Sequence, residues 1–187
     1  MRLPVEVYES VVDQASDNAA SLHHLSLTCT ALLPRARHHL FSSIAIQTME
    51  QMQASRDFLD AHPWLPPLVH KIALSISVSK SCSERNVHLL DVVPIHLLIR
   101  LPNLRAWSMG NNGFSFSGTA MPSLSLQRSV LQSYRSYGHS IHTLELSLVH
   151  FDAISDFTGL VSAFTGIRTL TCRNILFRKV EEKTTSP

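Results

Sequence analysis

Eleven histidines and three cysteines are the residues of this 187-residue chain best suited to chemistry, and their spacing works against it. His23-His24 and His38-His39 are adjacent pairs, whose side chains would leave a helix about 100° apart. No His-x-x-x-His, Cys-x-x-Cys or His-Glu-x-x-His spacing occurs, so the pattern predicts no metal site. Cys29, Cys82 and Cys172 form no close pair, and free thiols in a reducing compartment are the expectation, Cys29 acting as a small buried hydrophobe. Gly110-Asn111-Asn112-Gly113 and the glycine that follows at Gly118 lack the lysine of a phosphate cradle and read as turns between elements. With no Gly-x-Ser-x-Gly elbow and no Gly-x-Gly-x-x-Gly after a strand, the sequence specifies no catalytic residue and no cofactor.

The composition, 44% hydrophobic and 16% charged, is too apolar for disorder and is that of a globular protein. The longest apolar stretch, residues 87–101, is interrupted by Asp91, Pro94, His96 and Arg100, so no membrane span is expected. A formal charge of +2 with dispersed arginines gives no footprint for nucleic acid. The N-terminus lacks the basic-then-apolar pattern of a secretory signal, which points to a cytoplasmic or nuclear protein.

The elements that must position any functional residue fall into two regions. Pro4 opens a first helix over residues 5–15, with Glu6 and Glu9 in its first turns and Val7, Val11 and Val12 as its apolar stripe. Ser21 is the expected N-cap of a second helix carrying Leu22, Leu25 and Leu32, and Pro34 starts a third over residues 35–41. Helices this short need a shared core or a partner.

Beyond Ser43 the period changes. Short strand-like segments, Ile44-Ala45-Ile46, Val69 to Leu74, Leu101 to Trp107, Ile141 to Leu146 and Ile167 to Cys172, alternate with predicted helices over residues 49–61, 87–99, 126–137 and 154–164. Three of the segments fit an L-x-x-L-x-L signature, and a copy framed on Leu101 and Leu104 places Trp107 one residue late. The alternation predicts an α/β chain with a mainly parallel sheet. Both tryptophans, Trp64 and Trp107, are expected in the core, with exposure on the sheet face as the alternative that would make either an anchor for a partner.

The segments Leu3-Pro4-x-Glu6-Val7, Leu25-Ser26-Leu27-Thr28-Cys29-x-Ala31-Leu32 and Arg35-x-Arg37-x-x-Leu40-Phe41-x-x-Ile44, in this order, resemble the F-box in the variant found in mushroom-forming fungi. The remainder resembles the leucine-rich repeats that follow some F-boxes. The resemblance implies an F-box-like helical module over residues 1–46, an irregular leucine-rich-repeat-like solenoid over 47–178 and a disordered tail over 179–187. It also implies that the helical module caps the front of the array. In such proteins the module is not catalytic but binds a Skp-type adaptor, and through it a cullin-RING ligase. Carried onto this chain, Leu3, Pro4, Val7, Val11, Leu25, Cys29, Leu32, Leu40 and Phe41 would meet the adaptor. A protein awaiting ubiquitination would meet the sheet face, with Trp107, Arg105 and Arg168 as the contact candidates. Two other classes fit the same pattern: a repeat scaffold with no link to a ligase, and a small α/β hydrolase or ligand-binding protein with a deep pocket.

Overall fold

The computed structural model describes residues 4–75, 89–110, 123–124 and 126–178. The chain enters α1 (Val5–Gln14) from Pro4, whose fixed φ suits a helix start. Helix α2 (Ala19–Thr28) is capped by Asn18, whose side-chain oxygen accepts the Ser21 N–H at 3.0 Å. Ser21, the residue the sequence points to as the cap, is thus the donor that the cap satisfies. Helix α3 (Leu33–Leu40) carries Pro34 in its first turn and begins two residues before the expected Arg35. The three helices close around Val12, Leu22, Leu32 and Ala36, with Tyr8, Ala15, Leu25 and Leu40 packed against them. Asp13 ties α1 to α3: Arg35 donates to its two oxygens at 2.6 and 2.8 Å, and His39 Nε2 lies 2.7 Å from one of them.

The chain then alternates strand and helix: β1 (Ser43–Ile46), α4 (Met49–Ala61), β2 (Lys71–Ser75), α5 (Leu89–His96), β3 (Ala106–Gly110), β4 (Ser123–Leu124), α6 (Arg128–Tyr137), β5 (Thr143–Ser147), β6 (His150–Phe151), α7 (Ile154–Ala163), β7 (Thr169–Arg173) and β8 (Leu176–Phe177). The fold is mixed α/β. Five strands pair in parallel in the order β1-β2-β3-β5-β7, and β4-β6-β8 form a second, smaller parallel ribbon. Chain order and spatial order coincide, so each unit packs beside the one before it. Residues 43–46, grouped by sequence with the helical module, are the first strand of this sheet.

Register corrects the repeat frame. Ile44, Ile72, Trp107, Leu144 and Leu170 stand in line across the sheet, spaced 28, 35, 37 and 26 residues apart. The third copy is therefore Leu104-x-x-Trp107-x-Met109, three residues later than a frame begun at Leu101, and Trp107 is in phase. Phe41-x-x-Ile44-x-Ile46 is a further copy. A backbone ladder runs along the entry to the strands: the carbonyl of Ser42 accepts from His70 and Lys71 N–H, that of His70 from Arg105 and Ala106, that of Arg105 from His142 and Thr143, and that of His142 from Arg168 and Thr169, all within 2.8–3.0 Å. Period-2 alternation then sends Ile72, Leu74, Trp107, Met109, Leu144 and Leu146 inward to the main core.

The last two units share one further device. After β5 and after β7 the chain turns through a left-handed residue, Leu148 (φ 55°) and Asn174 (φ 53°), before the short strands β6 and β8. Leu148 N–H donates to Arg173 C=O at 2.9 Å and Leu176 N–H to Val149 C=O at 3.0 Å, which stacks the two turns. Phe151 and Phe177 stack behind them with ring centroids 6.1 Å apart.

Candidate interaction surfaces

The helical head divides the apolar residues of α1 between two faces. Val12 is fully buried in the head's own core, while Val5, Val7 and Val11 are 56%, 42% and 47% exposed; Val7 and Val11 lie about 100° or more round the helix from Val12, and Val5 lies on Val12's side at the open first turn. Helix α2 adds Leu27 at 72% exposure. Of the residues that sequence assigns to a partner, Pro4, Val7, Val11 and Cys29 are exposed, and Leu25 and Leu40 are half-buried at the edge of the head's core. Leu32 is buried inside that core and is structural. Phe41 follows the last turn of α3 and packs against the main core and the rings of Phe58 and Trp64, so it joins the head to the sheet. Leu3 lies outside the described residues, as do Cys82, residues 111–118 of the glycine-rich stretch and the tail over 179–187. Cys29 is exposed rather than buried, its sulfur accepting the Ala31 N–H at 3.3 Å. Val5 and Leu27 were not expected as surface residues, because helical period marks an apolar stripe without saying which part of it an eight- to ten-residue helix buries.

The outward face of the five-stranded sheet carries mostly short side chains. Ala45, Ala73, Ser108, Glu145 and Thr171 stand in one register line there, and Lys71, Ala106, Thr143 and Thr169 in the neighbouring line. Because Ala106 and Ser108 are short, Lys71 reaches across β3 to Glu145 and donates to it at 2.8 Å. Glu145 is held below the ordinary glutamate range by the Lys71 hydrogen bond first, with a smaller contribution from Ser108. Trp107 is not on this face. It is wholly buried, edge-on to Tyr134 at 5.4 Å and 6.0 Å from Phe164, and its Nε1 meets no acceptor among the described residues. Its assignment as a contact anchor fails because position 107 is in phase with the inward set. Arg105 and Arg168 occupy equivalent exposed positions at the entry to β3 and β7, and neither makes an ion pair with a described residue.

At the junction of head and sheet, His38 packs against His39 (5.5 Å) and His70 (5.8 Å), and its Nδ1 is buried without a partner among the described residues. Burial, followed by the nearby His39, Arg35 and His70, holds its pKa below the usual histidine value, against a smaller opposing pull from Asp13. Asp13 is held far below the carboxylate range by its hydrogen bonds from Arg35 and then His39. Among the described residues no group of three or more His, Cys, Asp or Glu side chains is arranged to hold a metal, and no helix is long and apolar enough to cross a membrane.

The front of the sheet is only partly covered. Phe58 and Trp64 are 46% and 45% exposed beside β1, so the helical head leaves part of this end open, and Trp64 is not the core residue expected. Comparison with family models, with characterised proteins and with solved structures gives no match.

Proposed function

We propose that this chain is a non-catalytic recruiting subunit: an F-box-like head that docks on a Skp-type adaptor, followed by a leucine-rich-repeat-like array that presents a protein to a cullin-RING ubiquitin ligase. The observation that carries the reading is the head itself. Its three helices already enclose Val12, Leu22, Leu32 and Ala36, yet Val5, Val7, Val11 and Leu27 remain outside. Folding does not need these side chains, and water disfavours them, at about 25 cal/mol per Å² of apolar area. A partner surface that covers them accounts for both facts. The ordered motif pieces around them supply the kind of partner.

The array supports the second half of the reading. Parallel strands in chain order, with equivalent backbone bonds repeated at four steps, are what a repeat built of strand-plus-helix units produces. Its outward face carries mostly short side chains across five strands, a surface that suits a protein ligand better than a small substrate. Arg105 and Arg168 flank that face and are the contact candidates that remain. The chain itself would make and break no bond; it would raise the local concentration of a bound protein near the conjugating enzyme.

Co-expression with a Skp-type protein tests the reading. The wild-type chain should co-purify with it, and the pair Val7→Asp and Val11→Asp should abolish the complex while leaving the circular dichroism and unfolding midpoint unchanged. Retained binding by the folded double variant would remove the α1 face from the interface and, with it, the proposal.

A further inference from the structure

The open front of the sheet contains an apolar cleft of about 80 Å³ between β1 and α4. Ile44, Leu59, Leu65 and Val69 form its walls, and Phe41 and Phe58 flank its mouth. Its size decides what it can take: small-molecule sites run to roughly 300–1,000 Å³, so this cleft suits one bulky side chain.

Two further observations say what carries that side chain. The first is the free edge of β1. Because Ser42 C=O accepts from His70 and Lys71, the alternation of a parallel ladder directs the backbone of Ser42, Ile44 and Ile46 toward β2. The N–H and C=O groups of Ser43 and Ala45 therefore point away from the sheet, where no described strand lies, because β1 is first in the strand order. Ser43 also lines the cleft, so the unpaired backbone and the apolar space adjoin. The second is charge. The Arg37 guanidinium lies 5.3 Å over the ring of Trp64, and Trp64 meets Phe41 edge-on at 5.7 Å, which sets a cation one aromatic ring beyond the Phe41 that lines the cleft. Arg37 forms no ion pair with a described residue.

We infer that the front of the sheet is a docking site for an extended peptide segment of a partner protein, which adds a strand beside β1, inserts one aromatic or branched apolar side chain into the cleft and places a carboxylate on Arg37. Main-chain pairing supplies affinity in this mode, and the pocket and the charge select the sequence. The site is separate from the valines of α1, so it stands whether or not the head binds an adaptor.

Selection of phage-displayed random peptides on the purified full chain tests this. Enriched peptides should share a bulky apolar residue with an acidic residue near it, and a synthetic copy should shift the amide signals of Ser43 and Ala45. Two variants read the contacts separately: Ser55→Leu fills the cleft from α4, and Arg37→Glu reverses the charge without touching a buried position. Each should weaken the synthetic peptide by about tenfold or more, the usual scale for losing one central contact, with circular dichroism unchanged. The inference is overturned if no peptide is enriched, if the enriched set lacks the apolar-acidic pair, or if both folded variants bind as the wild type does. A dimer in sedimentation that disappears in Ser55→Leu would also overturn it, by making a second copy of the chain the occupant.

Discussion

Replacing Tyr134 with phenylalanine removes one hydroxyl and keeps the ring that packs edge-on to Trp107 and lies 5.0 Å from Phe164. The hydroxyl matters because of a proline forty residues away. Pro94 lies inside α5, and having no N–H it cannot donate to the carbonyl four residues back, that of Leu90. Leu90 is 1% exposed, so water does not take over. Tyr134 Oη donates to that carbonyl at 3.1 Å instead, across the α5–α6 contact. Leaving a buried acceptor unmet costs about 1–3 kcal/mol, and Tyr134→Phe should destabilise the protein by that much. Pro94→Ala restores a helical donor for Leu90. In that background the same hydroxyl deletion should cost less than about 1 kcal/mol, since the acceptor has a partner again. The four proteins, wild type, two singles and the double, should be compared by urea unfolding followed by circular dichroism. The difference between the two Tyr134→Phe effects isolates the hydroxyl–carbonyl coupling from the other contacts that Tyr134 makes. Equal costs in the two backgrounds, within the roughly 0.5 kcal/mol expected of independent sites, would refute the argument that the hydroxyl substitutes for the missing N–H.

Val12→Ala should destabilise the head by about 1–3 kcal/mol through lost burial and a residual cavity, while Val11→Ala, on the exposed side of the same helix, should stay within about 0.5 kcal/mol; thermal unfolding of the two separates them. Gly166→Ala should cost about 1–3 kcal/mol, because a Cβ there would overlap the backbone carbonyl of His139, whereas Gly159→Ala, which meets only the flexible end of Leu131 within helix α7, should be neutral or stabilising by up to about 1 kcal/mol. Acidification should weaken first the head–sheet junction at His38 and then the α1–α3 tie at Asp13. His38 has a folded-state pKa below the unfolded value of 6.5, so its contribution is intact above that value and is lost as pH falls below it, when a proton must be accommodated beside Arg35, His39 and His70. Asp13, likewise depressed, keeps its contribution until the pH drops below the ordinary carboxylate range. The unfolding midpoint of the wild type should therefore fall between pH 7.5 and 5.5, and His38→Phe should flatten that slope; an unchanged slope would show that His38 does not govern it.

Much of the architecture was legible in the sequence because it rests on periodicity. The strand-helix alternation, helix α4 at its observed bounds, and the parallel sheet follow from apolar spacing and from proline and glycine punctuation. The frame of the third repeat was not legible, since Leu101, Leu104, Trp107 and Met109 offer two overlapping apolar series, and only strand pairing chooses between them. In the last two strand units the apolar pattern continues past the core signature, as Val149-x-Phe151 and Ile175-x-Phe177. Its meaning depends on the left-handed turns at Leu148 and Asn174, and Leu148 is not a residue that announces such a turn.

The candidate surfaces divide in the same way. That α1 carries an apolar stripe is written in Val7, Val11 and Val12, and that Arg105 and Arg168 stand beside the apolar residues of strand-like segments is written there too. Which valine turns inward, whether Trp107 or Trp64 reaches solvent, and that Phe41 belongs to the sheet rather than to the head are decided by neighbours distant in sequence. Side-chain period fixes a direction relative to the backbone, and burial depends on what the fold brings to that side. The same reason accounts for the bond between Tyr134 and Leu90: the sequence marks Pro94 as a break in a helix, and only tertiary packing supplies the hydroxyl that lets the helix continue through it.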